Sequence, residues 1–204
     1  MTRAPLGFLI LFLLAGAAGA AEDTLASIQA RLEKHAVVRA EFVQMRTMKD
    51  LQRPQLSRGR LVAWTAGGVI WHIDQPFKAT YVLRDERTIE IGPDGTRTER
   101  SAADDRGAAR VGRVLRAVLK GDTKTIDEWF DAKPRIEGDR WSLTLVPKNG
   151  SLSFFVKSIQ LYGADFVEGV RILEENGDAT HMQFRNPHAA DALSEEERKL
   201  LAGD

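Results

Sequence analysis

Period-two alternation dominates this 204-residue sequence. It predicts a mainly β fold with helices: a strongly curved antiparallel sheet of about eleven strands with α-helices against its concave apolar face. Three observations carry that expectation. Short alternating segments are separated by turn signals such as Gly67-Gly68, Gly92-Pro93-Asp94-Gly95 and Asn176-Gly177. A sheet of that many strands must curl or close. The few helical segments carry apolar stripes that have to be buried against something.

Taken in order, the chain starts with Arg3, an apolar run from Leu6 to Leu14 and the small-residue pattern Ala18-Gly19-Ala20. This reads as a secretory signal peptide over residues 1–20, cleaved before Ala21. A membrane anchor is the alternative, but the run is short for a bilayer. The expectation is an exported, soluble protein with a single domain over residues 21–204. Asp23 or Thr24 is a candidate helix cap, and Leu25, Ile28, Leu32 and Ala36 fall on one stripe of the helix that follows.

A first strand covers about Val37 to Thr47, with Val38, Ala40, Phe42 and Gln44 on one face. Pro54 punctuates the turn after it. The second strand places Ser57, Gly59, Leu61 and Ala63 together, opposite Arg58 and Arg60. The third places Val69, Trp71 and Ile73 opposite Ile70, His72 and Asp74, and Pro76 ends it. Strands at Ala79 to Arg84, Thr88 to Ile91 and Thr96 to Ser101 follow, the last polar and exposed or partly loop.

The clearest helix is Val111 to Lys120, where Val111, Val114, Leu115, Val118 and Leu119 form one stripe. Thr125 and Glu128 fit a capping box for a short helix ending at Trp129. Strands then resume at Lys133 to Glu137, Trp141 to Pro147, Leu152 to Gly163 with an irregularity near Phe154-Phe155, Val167 to Glu175 and Thr180 to Arg185. Ser194 and Glu197 fit a second capping box, which opens a short terminal helix.

Composition excludes several classes of function. Lys+Arg and Asp+Glu are equal at 29 each, so no basic excess points to nucleic acid. Cysteine is absent, which rules out disulfides, thiolate metal sites, a cysteine nucleophile and an acylated N-terminal cysteine. His35, His72, His181 and His188 are scattered and form no metal-ligand motif. No Gly-x-Ser-x-Gly elbow, phosphate loop or dinucleotide fingerprint occurs. His72 and Asp74 share a strand face and are the one candidate pair for a hydrolase, although a charged strand face is more often simply solvated. No cofactor, metal or catalytic residue is expected, and the chain is not expected to be an enzyme. Trp64, Trp71, Trp129 and Trp141 suit either a core or a ligand cavity.

The order of short motifs adds a resemblance. Phe42-x-Gln44, Gly59-x-Leu61 and Trp71-His72-x-x-Gln75-Pro76 follow one another as in the LolA family, the periplasmic carriers of outer-membrane lipoproteins. Leu145-Val-Pro-Lys148 and Glu174-x-x-Gly177-Asp-x-Thr180-x-x-x-Phe184 resemble that family's second half. The likeness spans about Leu25 to Pro187. It implies an incomplete, strongly curved antiparallel β-barrel with an α-helical lid over its open side. The implied function is to shelter acyl chains in an apolar cavity between sheet and lid, taking lipoproteins from an inner-membrane transporter to an outer-membrane acceptor. The expected form is a monomer.

On that reading Phe42, Leu61, Ala63, Val69, Trp71 and Ile73 line the cavity from the sheet. Leu115 and Leu119 line it from the lid. One departure stands out: where family members commonly carry an Arg-Pro pair before the Trp strand, with the arginine holding the lid, this chain has Thr65-Ala66. Thr65 offers a single hydroxyl instead of a five-donor fork. The departure leaves open a divergent carrier of a free lipid, glycolipid or other acyl product. A structural envelope protein with a packed core is a further alternative.

Overall fold

The computed structural model describes residues 16–84, 87–101, 117, 123–148, 150 and 152–202. Eleven strands form one antiparallel sheet: β1 (Val37–Thr47), β2 (Gln55–Trp64), β3 (Gly68–Gln75), β4 (Ala79–Leu83), β5 (Arg87–Ile91), β6 (Arg97–Ser101), β7 (Phe130–Glu137), β8 (Arg140–Pro147), β9 (Val156–Gly163), β10 (Val167–Glu174) and β11 (Ala179–Ala190). The spatial order is β6-β5-β4-β3-β2-β1-β11-β10-β9-β8-β7. Two meanders therefore meet at the β1–β11 ladder, and the edges β6 and β7 do not pair, so the sheet is open. Among the described residues three helices are delimited: α1 (Gly16–Leu32), α2 (Thr123–Trp129) and α3 (Glu195–Ala202).

The sheet curves. Leu83 on β4 and Leu145 on β8 lie seven steps apart in strand order yet belong to one apolar cluster. Leu25, Ile28 and Leu32 of α1 join the same cluster, so the predicted stripe is the buried face of that helix. Ala36 is exposed and lies past the helix end. The helix also runs back to Gly16 instead of starting from a cap at Asp23 or Thr24. Ala17, Ala18, Ala20 and Ala21 are strong helix formers and no proline interrupts them, so the helix runs through Gly19 despite that residue's low propensity.

Other boundaries shift for local reasons. α2 begins at Thr123, which places Thr125 inside the helix and not at its cap. β7 begins at Phe130, three residues before the expected start, and accommodates Pro134 because it is an edge strand. β9 begins only at Val156: the N–H groups of Phe155 and Val156 both donate to the Leu152 carbonyl (3.1 and 2.9 Å), which turns the chain where the irregularity was expected. β11 continues past Arg185 to Ala190 because β1 pairs with it throughout. A register shift between Arg39 and Glu41 absorbs one extra β11 residue, and Asn186 takes the left-handed conformation there (φ 50°). The expected helix at Val111 to Lys120, with Leu115 and Leu119, lies outside the described residues except for helical, buried Ala117.

The motif residues pack on one another. Phe42 on β1 pairs with Gly59 on β2, and the Phe42 ring meets Trp71 edge-on with centroids 5.0 Å apart. A Cβ on Gly59 would sit 1.8 Å from the His72 carbonyl oxygen and 2.9 Å from the Phe42 ring. The glycine thus provides the space that the aromatic pair and the neighbouring strand occupy.

The outer face has its own cluster. Val37, Val62, Ile70, Val82 and Ile89 are covered by Leu193 and by Leu201 of α3. Gly68 lets the helix approach, since a Cβ there would meet Leu201 at 2.6 Å. The second capping box forms: Glu197 N–H donates to Ser194 Oγ (3.1 Å) and Ser194 N–H donates to Glu197 Oε2 (2.7 Å). Arg39 clamps the same carboxylate from β1 through Nε (2.8 Å) and Nη2 (2.6 Å). Those Arg39 bonds, followed by the Ser194 N–H, hold the Glu197 carboxyl below the usual range.

Two outcomes follow. Gly59→Ala is expected to destabilise at or above the roughly 1–3 kcal/mol typical of overpacking, measured by urea unfolding. The 1.8 Å neighbour is backbone and cannot rotate away. Ser194→Ala is expected to cost about 1 kcal/mol as a lost cap. Because the folded pKa of Glu197 is depressed, its contribution is present above the unfolded carboxyl value of about 4.3. It is lost as pH falls through the folded value, so the acid limb of a pH–stability curve should flatten in Glu197→Gln.

Candidate functional site

The inner face of β1–β3 is set by alternation. Phe42, Leu61, Ala63, Val69 and Trp71 are all buried in the inner apolar cluster, and Ile73 packs half-buried against it. The structure therefore brings the six sheet residues together on one face, in the same apolar cluster as α1. Beyond them the same surface continues through Phe184 on β11, Val170 on β10 and Leu161 on β9 to Leu143 on β8.

At the end of the sheet next to the α1–β1 connection, this surface opens into an apolar cleft. Leu32, Val38, Ala40, Leu61, Ala63 and Phe184 line it. His35 from that connection and Phe166 from the β9–β10 turn roof it, with rings stacked at 4.6 Å and 18°. The cavity measures about 30 Å³, roughly the share of one water in the liquid. The cleft as it stands is too small for an acyl chain, which would enter it only if a neighbouring element moved. Sequence reading did not single out His35 or Phe166 as a pair; they are 131 positions apart, and no local signal links them.

Among the described residues, Thr88 opposite Leu83 and Gln29 of α1 are polar side chains buried on the inner side. Gln29 of α1 is 5% exposed, and its Nε2 has no hydrogen-bond partner. A buried amide donor left unpaired costs about 1–3 kcal/mol, which a carbonyl-bearing ligand would recover. Helical periodicity alone could have placed Gln29 with Leu25 and Leu32, but a single amide in the stripe carries no motif.

Thr65 lies in the turn between β2 and β3. Its N–H and its hydroxyl both donate to the Ala36 carbonyl, each at 3.1 Å. It fastens that turn to the exit of α1. The polar strand face is arranged differently from a catalytic pair. His72 Nδ1 shares a hydrogen bond with Thr80 Oγ1 (2.9 Å), while Asp74 faces Arg60 at 3.6 Å. Burial, then the Arg60 charge, pushes the His72 imidazole below its usual range. Both lie on the outer side of the sheet. Among the described residues no group of three His, Asp or Glu is placed to hold a metal.

Comparison with known proteins bears on this surface. Residues 13–194 match the family described as outer membrane lipoprotein carrier protein LolA-like. An outer-membrane lipoprotein carrier protein of Pseudomonas putida is 22% identical over 181 residues, which cover 89% of this chain and 85% of the relative. One of Pseudomonas entomophila is 23% identical over 176 residues, covering 86% and 83%. Among solved structures, a putative outer membrane lipoprotein-sorting protein domain from Vibrio parahaemolyticus superposes with a TM-score of 0.55 at 11% identity. That superposition covers 90% of this chain and 99% of the other, and supports the open curved sheet.

The roof of the cleft is a single ring pair, so Phe166→Ala should unroof it. Enhanced fluorescence of an apolar dye, with a melting temperature lowered by no more than a few degrees, is the expected result. Unchanged dye binding would show that the His35–Phe166 stack does not control access.

Proposed function

This chain belongs to the LolA-like family of outer membrane lipoprotein carrier proteins, and on that basis we propose that it shelters lipoprotein acyl chains against the inner face of its sheet. The observation that carries the proposal is the single uncharged surface running from Leu83 on β4 to Leu145 on β8, covered from one side by α1. Such a surface needs an apolar cover, and a hydrocarbon chain is chemically equivalent to the leucines and isoleucine that cover it now.

The energetics fit reversible binding. Each CH₂ removed from water contributes about 0.8 kcal/mol. With a cleft of only about 30 Å³, that gain is offset by separating Leu25, Ile28 and Leu32 from the sheet. Cargo and helix compete for the same surface, so affinity stays modest and release needs no chemistry. Gln29 adds a donor for an ester or amide carbonyl at the head of the chain. We assign no catalytic role to His72 or Asp74, which hold separate partners.

The reading places the protein in the periplasm, exported by the leader at residues 1–20. Cleavage before Ala21 would shorten α1 and leave its buried residues Leu25, Ile28 and Leu32 in the mature chain. In this proposal an inner-membrane transporter supplies the lipoprotein and an outer-membrane acceptor receives it. Thr65 is occupied with Ala36 and does not supply the arginine contact, so the second reading remains a carrier of a free lipid or other acyl product.

Native mass spectrometry of protein released gently from the periplasm separates the two readings. A bound acylated peptide or lipoprotein supports the first, and a bound free lipid the second. In parallel, Val38→Trp fills the cleft from a half-buried position. It should lower the affinity for a triacylated peptide about tenfold, or roughly 1.4 kcal/mol, with thermal stability nearly unchanged. Equal binding by a folded Val38→Trp protein would remove the cleft from the binding site.

A further inference from the structure

The large apolar side chains that the structure exposes gather at one end of the sheet. Strand direction sorts the described turns: β1–β2, β3–β4, β5–β6, β8–β9 and β10–β11 lie at one end, and β2–β3, β7–β8 and β9–β10 at the other. Phe77 in the β3–β4 turn is 81% exposed, and Phe154 and Phe155 in the β8–β9 turn are 78% and 47% exposed. Leu51 in the β1–β2 turn and Leu56 just after it are 47% and 53% exposed. Met45, Leu173 and Trp129 are the remaining exposed large apolar residues among those described, and each lies at the same end.

The β1–β2 and β8–β9 tips are held in place. Lys49 N–H donates to the Asp178 carboxylate (3.0 Å), which ties the β1–β2 turn to the β10–β11 turn. Glu175 N–H donates to the Phe155 carbonyl (3.1 Å), which ties the β8–β9 turn to the same place. A stable protein that presents phenylalanines on fixed turn tips places them against something apolar.

We propose that this end of the sheet docks on the surface of an anionic phospholipid bilayer, with Phe77, Phe154 and Leu51 entering the headgroup boundary. Two features favour a bilayer over a protein partner. The apolar groups stand on separate tips. The β1–β2 and β8–β9 turns are about four strand spacings apart, on the order of 19 Å along the sheet. A fluid interface accepts points at any spacing, whereas a protein partner favours a continuous patch. Cations also accompany the tips: Lys78 follows Phe77, Lys49 and Arg53 flank Leu51, and Lys157 follows the Phe154-Phe155 pair. Of the acidic residues at this end, Glu174 and Asp178 pair with Arg46 (3.3 and 3.6 Å). Asp50, Asp94 and Glu175 are the others at the turns, and the corner at Trp129, with Asp127 and Glu128, lies outside this group. Aromatic tips flanked by long cationic side chains suit the headgroup level of an anionic membrane.

The docking end is opposite the cleft roofed by His35 and Phe166, so membrane contact and acyl binding are separable. The test is flotation of protein isolated from the periplasm with vesicles of phosphatidylcholine and phosphatidylglycerol. The wild-type protein should float, and Phe77→Ser with Phe154→Ser should weaken its vesicle affinity at least about tenfold at an unchanged melting temperature. Lys78→Glu with Lys157→Glu should remove the preference for mixed vesicles over pure phosphatidylcholine. Val38→Trp should float like the wild type, which separates this result from failure of the acyl-binding reading. Wild-type protein that floats no better than the double-serine variant overturns the proposal. So does a Val38→Trp protein that no longer floats, because binding would then run through the cleft.

Discussion

The β1–β11 ladder is the contact on which the rest of the structure depends. Each meander is built from near neighbours in sequence, but Val37 pairs with Ala190 and Thr47 with Ala179. Without that ladder there are two smaller sheets, each with an apolar face and no partner for it. Forming it closes a long loop, whose entropy must be offset before distant contacts contribute. Its length helps: β1 and β11 are the longest strands in the sheet, and the bulge at Asn186 lets the pairing continue through a bend.

Once the halves are joined, the two faces have different demands. The inner surface is broad and curved and is met by α1 with three aliphatic side chains. The outer apolar patch is smaller and is met by α3, fixed by the Ser194–Glu197 cap and the Arg39 clamp. Polar fastening on the outside leaves α3 a fixed part of the wall. α1 covers the inner face chiefly by aliphatic contact. That contact is non-directional and is readily exchanged for another apolar surface. The difference fits a molecule whose interior is opened for cargo while its outer wall stays intact.

Aromatic content alone was ambiguous because one ring can suit a core or a cavity. Trp71 is a core residue: it is buried beside Phe42 in the inner cluster and does not line the cleft. Under the proposed function, displacement of α1 would expose the same inner surface to a ligand.

Much of this was legible in sequence because alternation is a local property. The limits of β1, the inward set Phe42, Leu61, Ala63, Val69, Trp71 and Ile73, the Ser194–Glu197 cap and the curled antiparallel class all follow from residues a few positions apart. The motif spacing of Phe42, Gly59 and Trp71 was legible as a resemblance, and packing supplies its reason. Tertiary structure alone decided the rest. The extension of β11 to Ala190 depends on β1, 150 positions away, and the second apolar face depends on where α3 lands. The His35–Phe166 roof, the unpaired Gln29 amide and the gathering of exposed phenylalanines at one end arise from chain directions in space. Local propensity reports which way each side chain points, but only the completed sheet determines which distant side chains it meets.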